Sequence, residues 1–169
     1  MAGENLKSTV ITNADSTTYT LNKKGLSNGV VKVARATVEV ATSMDNTSTY
    51  RMVRLPSRAR IVLVKVYADD LGTNTAMDLG LYRTAADGGA VVDADAFGSA
   101  VVFGSAITTG TELQHESAVY GVEDIETQLW QVAGASTDPQ VDYDVTFTVT
   151  TTTDGAGTLS LLVLYTDGD

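Results

Sequence analysis

The sequence predicts a mainly β protein, namely a jelly-roll-like antiparallel β-sandwich with one short helix. Threonine and valine occur 25 and 21 times among the 169 residues, and both residue types favour strands over helices. Runs of alternating apolar and polar residues recur along the chain, separated by turn-forming residues, which is typical of sandwich strands. The best helix candidate is Glu123–Ala133, whose apolar residues form a single stripe.

The composition excludes several kinds of chemistry. The chain has no cysteine, which excludes disulfides and thiolate catalysis, and its single histidine, His115, excludes any site that needs two imidazoles. No apolar run approaches the roughly 20 residues of a membrane span, and the start of the chain lacks the apolar core of a secretion signal. The net charge of −10 disfavours direct nucleic-acid binding. We therefore expect a soluble protein that contacts neither membranes nor nucleic acid directly.

Charge is distributed unevenly along the chain. All 11 lysines and arginines lie within residues 1–83, beside 7 acidic residues, whereas residues 84–169 hold 14 acidic residues and no basic one. One interpretation is that folding mixes the two halves and removes the asymmetry. The other is that one face or end is acidic and another carries the arginines, which favours docking in a fixed orientation.

We divide the chain into an N-terminal arm, residues 1–29, and a single β-sandwich domain, residues 30–169. The arm is polar and rich in Ser, Thr, Asn and Gly. We expect it to be partly extended, with Val10–Ile11 and Tyr19–Leu21 as candidate short strands, and to be flexible or ordered by a partner.

The first half of the domain contains several predicted strands. Val31–Ala41 is one of them, with a bulge or bend expected near Ala34–Ala36, where the apolar alternation changes phase. Ala59–Ala68 is another, and its run Ile61–Val64 is apolar on both faces, which suits a strand covered on both sides. Ala76–Arg83 alternates as well, and we expect it to form a hairpin with Ala59–Ala68.

The segment after residue 90 is harder to interpret. We expect Val91–Ser99 to be a loop with one helical turn around Ala94–Phe97, and Ala100–Ile107 to be a short strand. The helix predicted at Glu123–Ala133 has acidic residues in its first turn, which suits the positive end of the helix dipole. Gly134 then suits the left-handed position just past a helix end.

The C-terminal segment contains the clearest strand pattern. Val141–Val149 places apolar residues at every second position, and Leu159–Tyr165 returns after a glycine-rich turn. This pattern predicts a hairpin. Because Leu161–Leu164 is apolar on both faces, we expect its second face to be covered by the helix or by another subunit.

Candidate chemical sites are few. The stretch that begins at Asp93 and Asp95 fails the calcium-loop pattern, because Phe97 and Gly104 occupy ligand positions. Asp87, Asp93 and Asp95 either form a looser calcium site or are solvated loop carboxylates. Asp142 and Asp144 point the same way on one strand, where they either perform acid–base chemistry or solvate the sheet and meet a cation. His115 lies in a polar loop with no nucleophile signature near it. We predict no enzyme activity, no metal and no cofactor.

Arginines gather in one stretch of an otherwise acidic chain. Tyr50–Leu55 alternates strictly, which places Arg51 and Arg54 on opposite faces of a strand, and Pro56 ends that strand or lies at an edge. The four arginines of the stretch are Arg51, Arg54, Arg58 and Arg60. They either solvate a strand edge or pair with carboxylates of another subunit, since guanidinium forks bind carboxylates bidentately. Trp130 is likewise either a core residue or an interface anchor.

A set of turn and packing residues spread over most of residues 30–166 is also informative. Its members are Tyr50, Leu55, Pro56, Ser57, Ala59, Arg60, Asp78–Tyr82, Asp93–Phe97, Leu129, Trp130, Asp138, Pro139, Tyr143, Asp144 and Gly157–Tyr165. With these residues the sequence resembles a family of small tailed-bacteriophage virion proteins, often head decoration (cement) proteins. The resemblance implies a jelly-roll or sandwich domain that forms homotrimers on the outer surface of the capsid and clamps neighbouring major capsid subunits.

The resemblance turns the charge pattern into a specific expectation. We expect Arg51, Arg54, Arg58 and Arg60, with Asp142 and Asp144, to face a subunit or the capsid, and the 1–29 arm to contact a neighbour. Two alternatives stay open at this point. In the first, the chain is a phage tail or fibre component that recognises host glycans. In the second, it is a free carbohydrate-binding β-sandwich module.

Overall fold

Eight strands form two four-stranded antiparallel sheets. The computed structural model describes residues 7–18, 20, 29–113 and 124–167, and the structural statements below concern these residues. Two short α-helices and one 3-10 helix, Ala85–Asp87, accompany the strands. In chain order the elements are α1 (Thr9–Ala14), β1 (Val31–Val40), β2 (Thr49–Pro56), β3 (Arg60–Ala68), β4 (Ala76–Arg83), β5 (Val91–Val102), β6 (Ile107–Glu112), α2 (Leu129–Val132), β7 (Asp142–Val149) and β8 (Gly157–Thr166).

The order of the strands defines a jelly roll. Sheet A has the order β1-β8-β3-β6 and sheet B the order β2-β7-β4-β5. Among strands that follow one another in the chain, β4 and β5 alone are hydrogen-bonded neighbours. Every other connection between successive strands crosses from one sheet to the other, as in the double Greek key of a jelly roll. The predicted fold class, a jelly-roll-like β-sandwich, is confirmed.

Both predicted hairpins are wrong. The strands β3 and β4 lie in different sheets, and so do β7 and β8. Instead, β7 pairs with β2 and β4, and β8 pairs with β1 and β3. The strands themselves lie where the alternation predicts them. The turn residues between two strands look alike whether the chain doubles back within one sheet or crosses to the other, so local sequence does not decide the partner.

The bulge predicted in β1 is absent. Val31–Val40 pairs with β8 at ten consecutive positions without a register shift. Ala34 and Ala36 continue the inward face that Val38 and Val40 occupy, while Val31 and Val33 face outward and are exposed. The apparent change of phase came from exposed valines and inward alanines, which reverse the usual relation between residue type and burial.

The structure also corrects the segment that follows β4. Val91–Val102 is one twelve-residue strand, β5, where a loop with a helical turn was expected. Its register against β4 shifts three times, so no simple alternation is visible in the sequence. Ala96 and Phe97 turn inward at these irregularities and join the core. The strand predicted at Ala100–Ile107 is interrupted, because β5 ends at Val102 and the next strand, β6, begins at Ile107.

The helices differ from the predictions in length and place. The predicted helix Glu123–Ala133 is reduced to the single turn Leu129–Val132, although Gly134 does adopt a positive φ of 71° just past its end. Gln128, immediately before α2, instead forms an isolated bridge with Arg60 of β3. Val10 and Ile11, candidate strand residues, belong to helix α1. None of the described helices is long and apolar enough to cross a membrane.

Several predicted features fall outside the described residues. They are the candidate strand Tyr19–Leu21, the start of the predicted helix at Glu123, and His115.

The core lies between the two sheets. β4 contributes Met77, Leu79 and Leu81, and β7 contributes its alternate residues, all of them buried as the alternation predicts. Phe147 of β7 meets Phe103 edge to face, with ring centroids 6.0 Å apart. Trp130 packs half-buried against this core, and its Nε1 donates a hydrogen bond to Gln128 Oε1 at 2.5 Å. Since each sheet buries one face here, the candidate site residues lie on the opposite, outward faces.

Candidate functional site

A bulge in β2 brings two of the predicted arginines together. Strict alternation would place Arg51 and Arg54 on opposite faces, as the sequence predicted. The register of β2 against β7 instead shifts between Arg51 and Val53, so that Arg51 lies opposite Thr146 and Arg54 lies opposite Asp144. Because the bulge adds one residue, Arg54 lies on the outward face of sheet B, as Arg51 does. The predicted opposition of these two side chains is therefore wrong.

Asp144 is the centre of this site, which we call the Arg–Asp cluster (Arg51, Arg54, Asp144 and Tyr82). Arg54 binds it bidentately: Nε donates to Oδ1 at 2.7 Å and Nη2 donates to Oδ2 at 3.2 Å. Arg51 Nη1 donates to Oδ2 at 3.0 Å. Asp144 is only 4% exposed, and two guanidiniums on one carboxylate leave the trio with a net charge of +1. The cluster thus saturates the carboxylate and retains an excess of positive charge.

The electrostatics of the Arg–Asp cluster keep Asp144 ionised. Burial is the largest single influence and by itself raises the pKa of this carboxyl. The hydrogen bonds and charges of Arg54 and Arg51 together outweigh burial, so the pKa of Asp144 is lowered. In turn, the hydrogen bonds that Arg54 donates to Asp144 raise the pKa of Arg54. A carboxylate held ionised by three donors is unsuited to exchanging protons near neutral pH, so the arrangement favours a structural or binding role.

Tyr82 completes the cluster from β4. The guanidinium of Arg51 lies over its ring, 5.5 Å from the centroid, a cation–π geometry. The hydroxyl of Tyr82 is 2.6 Å from Thr148 Oγ1, so the ring extends along β7 past Thr146, which is fully buried. Arg51 also donates to the backbone oxygens of Arg83 and Gly89, at 2.7 and 2.8 Å. These contacts fix Arg51 in place, whereas Arg54, with 53% of its side chain exposed, faces solvent.

The sequence pattern did not single out Tyr82 as a partner of Arg51. One feature of the sequence could have identified Tyr82: it shares the outward face of β4 with Gly80. A glycine two positions from an aromatic residue leaves room for the ring to lie flat on the sheet.

The other two predicted arginines lie apart from the Arg–Asp cluster. Arg58 is exposed in the turn between β2 and β3, near Asp138. The pKa of Asp138 is lowered, first by the hydrogen bond that Ser57 Oγ donates to it at 2.5 Å and to a smaller degree by the charge of Arg58. Arg60 is buried, and its Nε donates to the backbone oxygen of Glu126 at 3.0 Å, which helps to hold the segment before α2 on sheet A.

The two predicted carboxylates also separate. Asp144 lies under Arg54, whereas Asp142, two residues earlier on the same face, is exposed and lies opposite Pro56. Within the described part of the chain, no three His, Cys, Asp or Glu side chains are grouped so that they could hold a metal ion. The surface beside the cluster is a shallow depression lined by Arg51, Met52, Val53, Arg54, Ala85 and Asp144. Arg54 is the exposed donor of this surface and suits a carboxylate of another chain, whereas the nearby charges of Asp142 and Asp87 offset the excess positive charge of the cluster.

Comparison with known proteins establishes the fold at a distance. No protein-family model matches the sequence, and no curated protein matches it. A chain of a structure described as the capsid asymmetric unit of cyanophage Pam1 aligns with a TM-score of 0.51 and 19% identity, over 82% of this chain and 85% of that chain. A chain of the capsid of Ralstonia phage GP4 aligns with a TM-score of 0.59 and 17% identity, over 83% of this chain and 86% of that chain. At these identities the likeness establishes a shared fold.

Proposed function

We propose that the chain is a structural protein of a tailed-phage virion that decorates the outer surface of the capsid. In this proposal it binds across neighbouring major capsid subunits as a homotrimer and stabilises the shell. The observation that carries the proposal is the fold match to chains of two phage capsids, which covers more than four fifths of both partners in each alignment. Because a fold is compatible with many functions, the surface must supply the remaining support.

The surface of sheet B supports a binding role. A carboxylate fixed by two guanidiniums gives a rigid outward face, and rigid side chains lose little entropy when a partner docks. Arg54 and Arg58 remain exposed beside it, and in this proposal they meet acidic groups of the capsid or of a neighbouring subunit. A ligand that binds only the assembled lattice stabilises that lattice by mass action. Repetition over one particle multiplies modest contacts through avidity.

Binding to capsids tests the proposal directly. Purified protein is mixed with expanded capsids that lack it, and the bound fraction is measured by co-sedimentation at low and high salt. We expect saturable binding that weakens as salt rises, because exposed charge pairs are screened. Arg58→Glu should weaken binding, whereas Lys65→Glu, the same charge change on sheet A, should not. Thermal unfolding of both variants checks that they remain folded.

Failure of the wild-type protein to bind its own capsids contradicts the proposal. Labelling of the tail instead of the head would identify a tail or fibre component, and binding on a glycan array without incorporation into particles would identify a carbohydrate-binding module.

Light scattering of the free protein measures the oligomer separately. We expect a mass that is a multiple of three chains, and a mass of one or two chains would overturn the homotrimer. Deletion of residues 1–29, followed by the same two measurements, tests whether the arm contacts a neighbour.

A further inference from the structure

The edge of sheet A formed by β1 differs from the other sheet edges. Each sheet has two edge strands, β1 and β6 in sheet A and β2 and β5 in sheet B. The pairings of β2, β5 and β6 each contain a register shift, and such irregularities protect an edge from pairing with another chain. In contrast, β1 pairs with β8 over ten residues without a break. Among the described strands, β1 is thus the edge best suited to accept a further strand.

The outward face of β1 begins with two exposed valines. Val31 and Val33 are 49% and 62% exposed. Val33 lies opposite Leu164, which in turn lies opposite Leu63, so an apolar row crosses three strands of sheet A. Glu39 accepts a hydrogen bond from Thr158 at 3.0 Å, but Arg35 has no ion pair among the described residues. β1 contains no proline, and its one inward-facing charged residue, Lys32, lies at the start of the strand and pairs with Asp167. The rest of the edge, from Val33 to Val40, is therefore open to a further strand.

We propose that β1 pairs antiparallel with β1 of a second copy of this chain, around a two-fold axis at Thr37. Outward positions of β1 carry Arg35, Thr37 and Glu39. In this register Arg35 lies opposite the partner's Glu39, and Glu39 lies opposite the partner's Arg35. Thr37 meets the partner's Thr37, a favourable cross-strand pair. One self-complementary patch therefore forms two ion pairs, as an isologous contact requires.

The charges favour this register among those that keep the same faces outward. An axis at Ala36 would place Arg35 opposite the partner's Thr37 and form no ion pair. An axis at Arg35 would place Arg35 against the partner's Arg35, and like charges directly opposite one another destabilise a sheet. The axis at Thr37 replaces that repulsion by two attractions. The resulting contact joins two copies of sheet A into one continuous sheet of eight strands. It does not depend on capsid binding or on the trimer, so it is tested on the purified full-length protein.

Cysteine cross-linking tests the position of the axis, because the chain has no cysteine of its own. In the proposed pair the two Thr37 Cα atoms lie about 5 Å apart, which is within the range that a disulfide spans. Thr37→Cys should give a covalent two-chain species on a non-reducing gel after mild oxidation. Ser160→Cys is the matched control, because Ser160 lies opposite Thr37 on the next strand, with the two hydroxyls 2.8 Å apart. The two Ser160 residues of the pair lie roughly 14 Å apart, so this variant should not cross-link.

Charge reversal in the Thr37→Cys background tests the ion pairs. Arg35→Glu and Glu39→Arg should each remove most of the cross-linked species, and the double variant Arg35→Glu/Glu39→Arg should restore it. All these positions are exposed on the edge strand, and thermal unfolding controls for loss of the fold. The proposal is overturned if Thr37→Cys cross-links no better than Ser160→Cys, or if the double variant does not recover. Loss of capsid binding in Arg35→Glu without any change in cross-linking would instead assign the edge to another protein, and it also overturns the proposal.

Discussion

At the scale of single residues, Asp144 is notable because it forms ion pairs with two arginines, Arg51 and Arg54. It is nearly inaccessible to solvent and accepts three hydrogen bonds from Arg51 and Arg54. The two arginines compensate for the hydration that this buried carboxylate has lost, and they do so only while both are present. Asp142, two residues earlier on the same face, makes no comparable contacts and is exposed. The two aspartates therefore form a natural pair of test and control.

Asp144→Asn should lower the free energy of unfolding by about 1–3 kcal/mol, because it removes the charge that both guanidiniums bind. The loss stays below that of a fully buried pair, since the side chains of Arg51 and Arg54 are 33% and 53% exposed. Urea denaturation measures the change. Asp142→Asn is the control and should change stability by less than about 0.5 kcal/mol. Equal effects at the two positions would contradict the role given to Asp144.

The stabilisation by Asp144 should disappear in acid. The pKa of this carboxyl is lowered in the folded protein, so the ionised form is favoured by folding. Its contribution is complete above the unfolded pKa, about 4, and is lost as pH falls through the lower folded value. The difference in unfolding free energy between wild type and Asp144→Asn should stay constant from pH 7 to about 5 and then shrink. A difference that persists unchanged to pH 2 would exclude this linkage.

At the scale of secondary-structure elements, bulges decide which side chains meet. The bulge in β2 places Arg51 beside Arg54, and the shifts in β5 turn Ala96 and Phe97 into the core. The irregular backbone of β5 also approaches β4 closely at Gly80. A Cβ atom at this position would lie 2.1 Å from the backbone oxygen of Asp93. Glycine is required there by close approach of backbone to backbone.

Gly80→Ala should destabilise the protein by about 1–3 kcal/mol, because the new methyl group meets backbone atoms that a side-chain rotation cannot move. Gly98→Ala is the matched control in the paired strand. Its Cβ would meet the side-chain tip of Val101 at 3.0 Å, which can shift, so the loss should be smaller. Thermal unfolding of both variants measures the difference. A Gly98→Ala loss as large as that of Gly80→Ala would show that the close approach of β5 is not the cause.

At the scale of the whole molecule, the last strand holds sheet A together. β8 lies between β1 and β3 and pairs with both, although β1 lies more than a hundred residues earlier in the chain. Sheet A therefore cannot form until the C-terminal segment is present. The described members of the buried core begin at Val40 and extend to β8. The two ends of the chain thus have unequal importance for stability.

Deletion of residues 157–169 should abolish cooperative unfolding, because β1 then loses its strand partner and β3 retains only β6. Deletion of the arm, residues 1–29, is the control and should shift the unfolding temperature by less than about 4 °C. Circular dichroism and calorimetry of both truncated proteins measure these effects. A cooperative transition without β8, or a collapse without the arm, would contradict this assignment.

The sequence by itself determined the fold class and most of the strands. Alternation of apolar and polar residues identified β2, β4 and β7, and runs of apolar β-branched residues and leucines identified β3 and β8. The sequence also identified Arg51, Arg54 and Asp144 as noteworthy residues. It failed at β5, whose bulges break the alternation, and at β6, which follows a turn placed inside a predicted strand. These failures occur where packing against a distant strand shapes the backbone.

Only the tertiary structure decided which strands pair and which charged residues meet. Turn residues do not distinguish a hairpin from a crossing between sheets, so both predicted hairpins were wrong. Likewise, a single extra residue in β2 brings Arg54 to the same face as Arg51, and no local pattern marks it. The physical reason is the same in both cases. Alternation records which face of a strand is buried, whereas partner and register depend on contacts with residues far away in the chain.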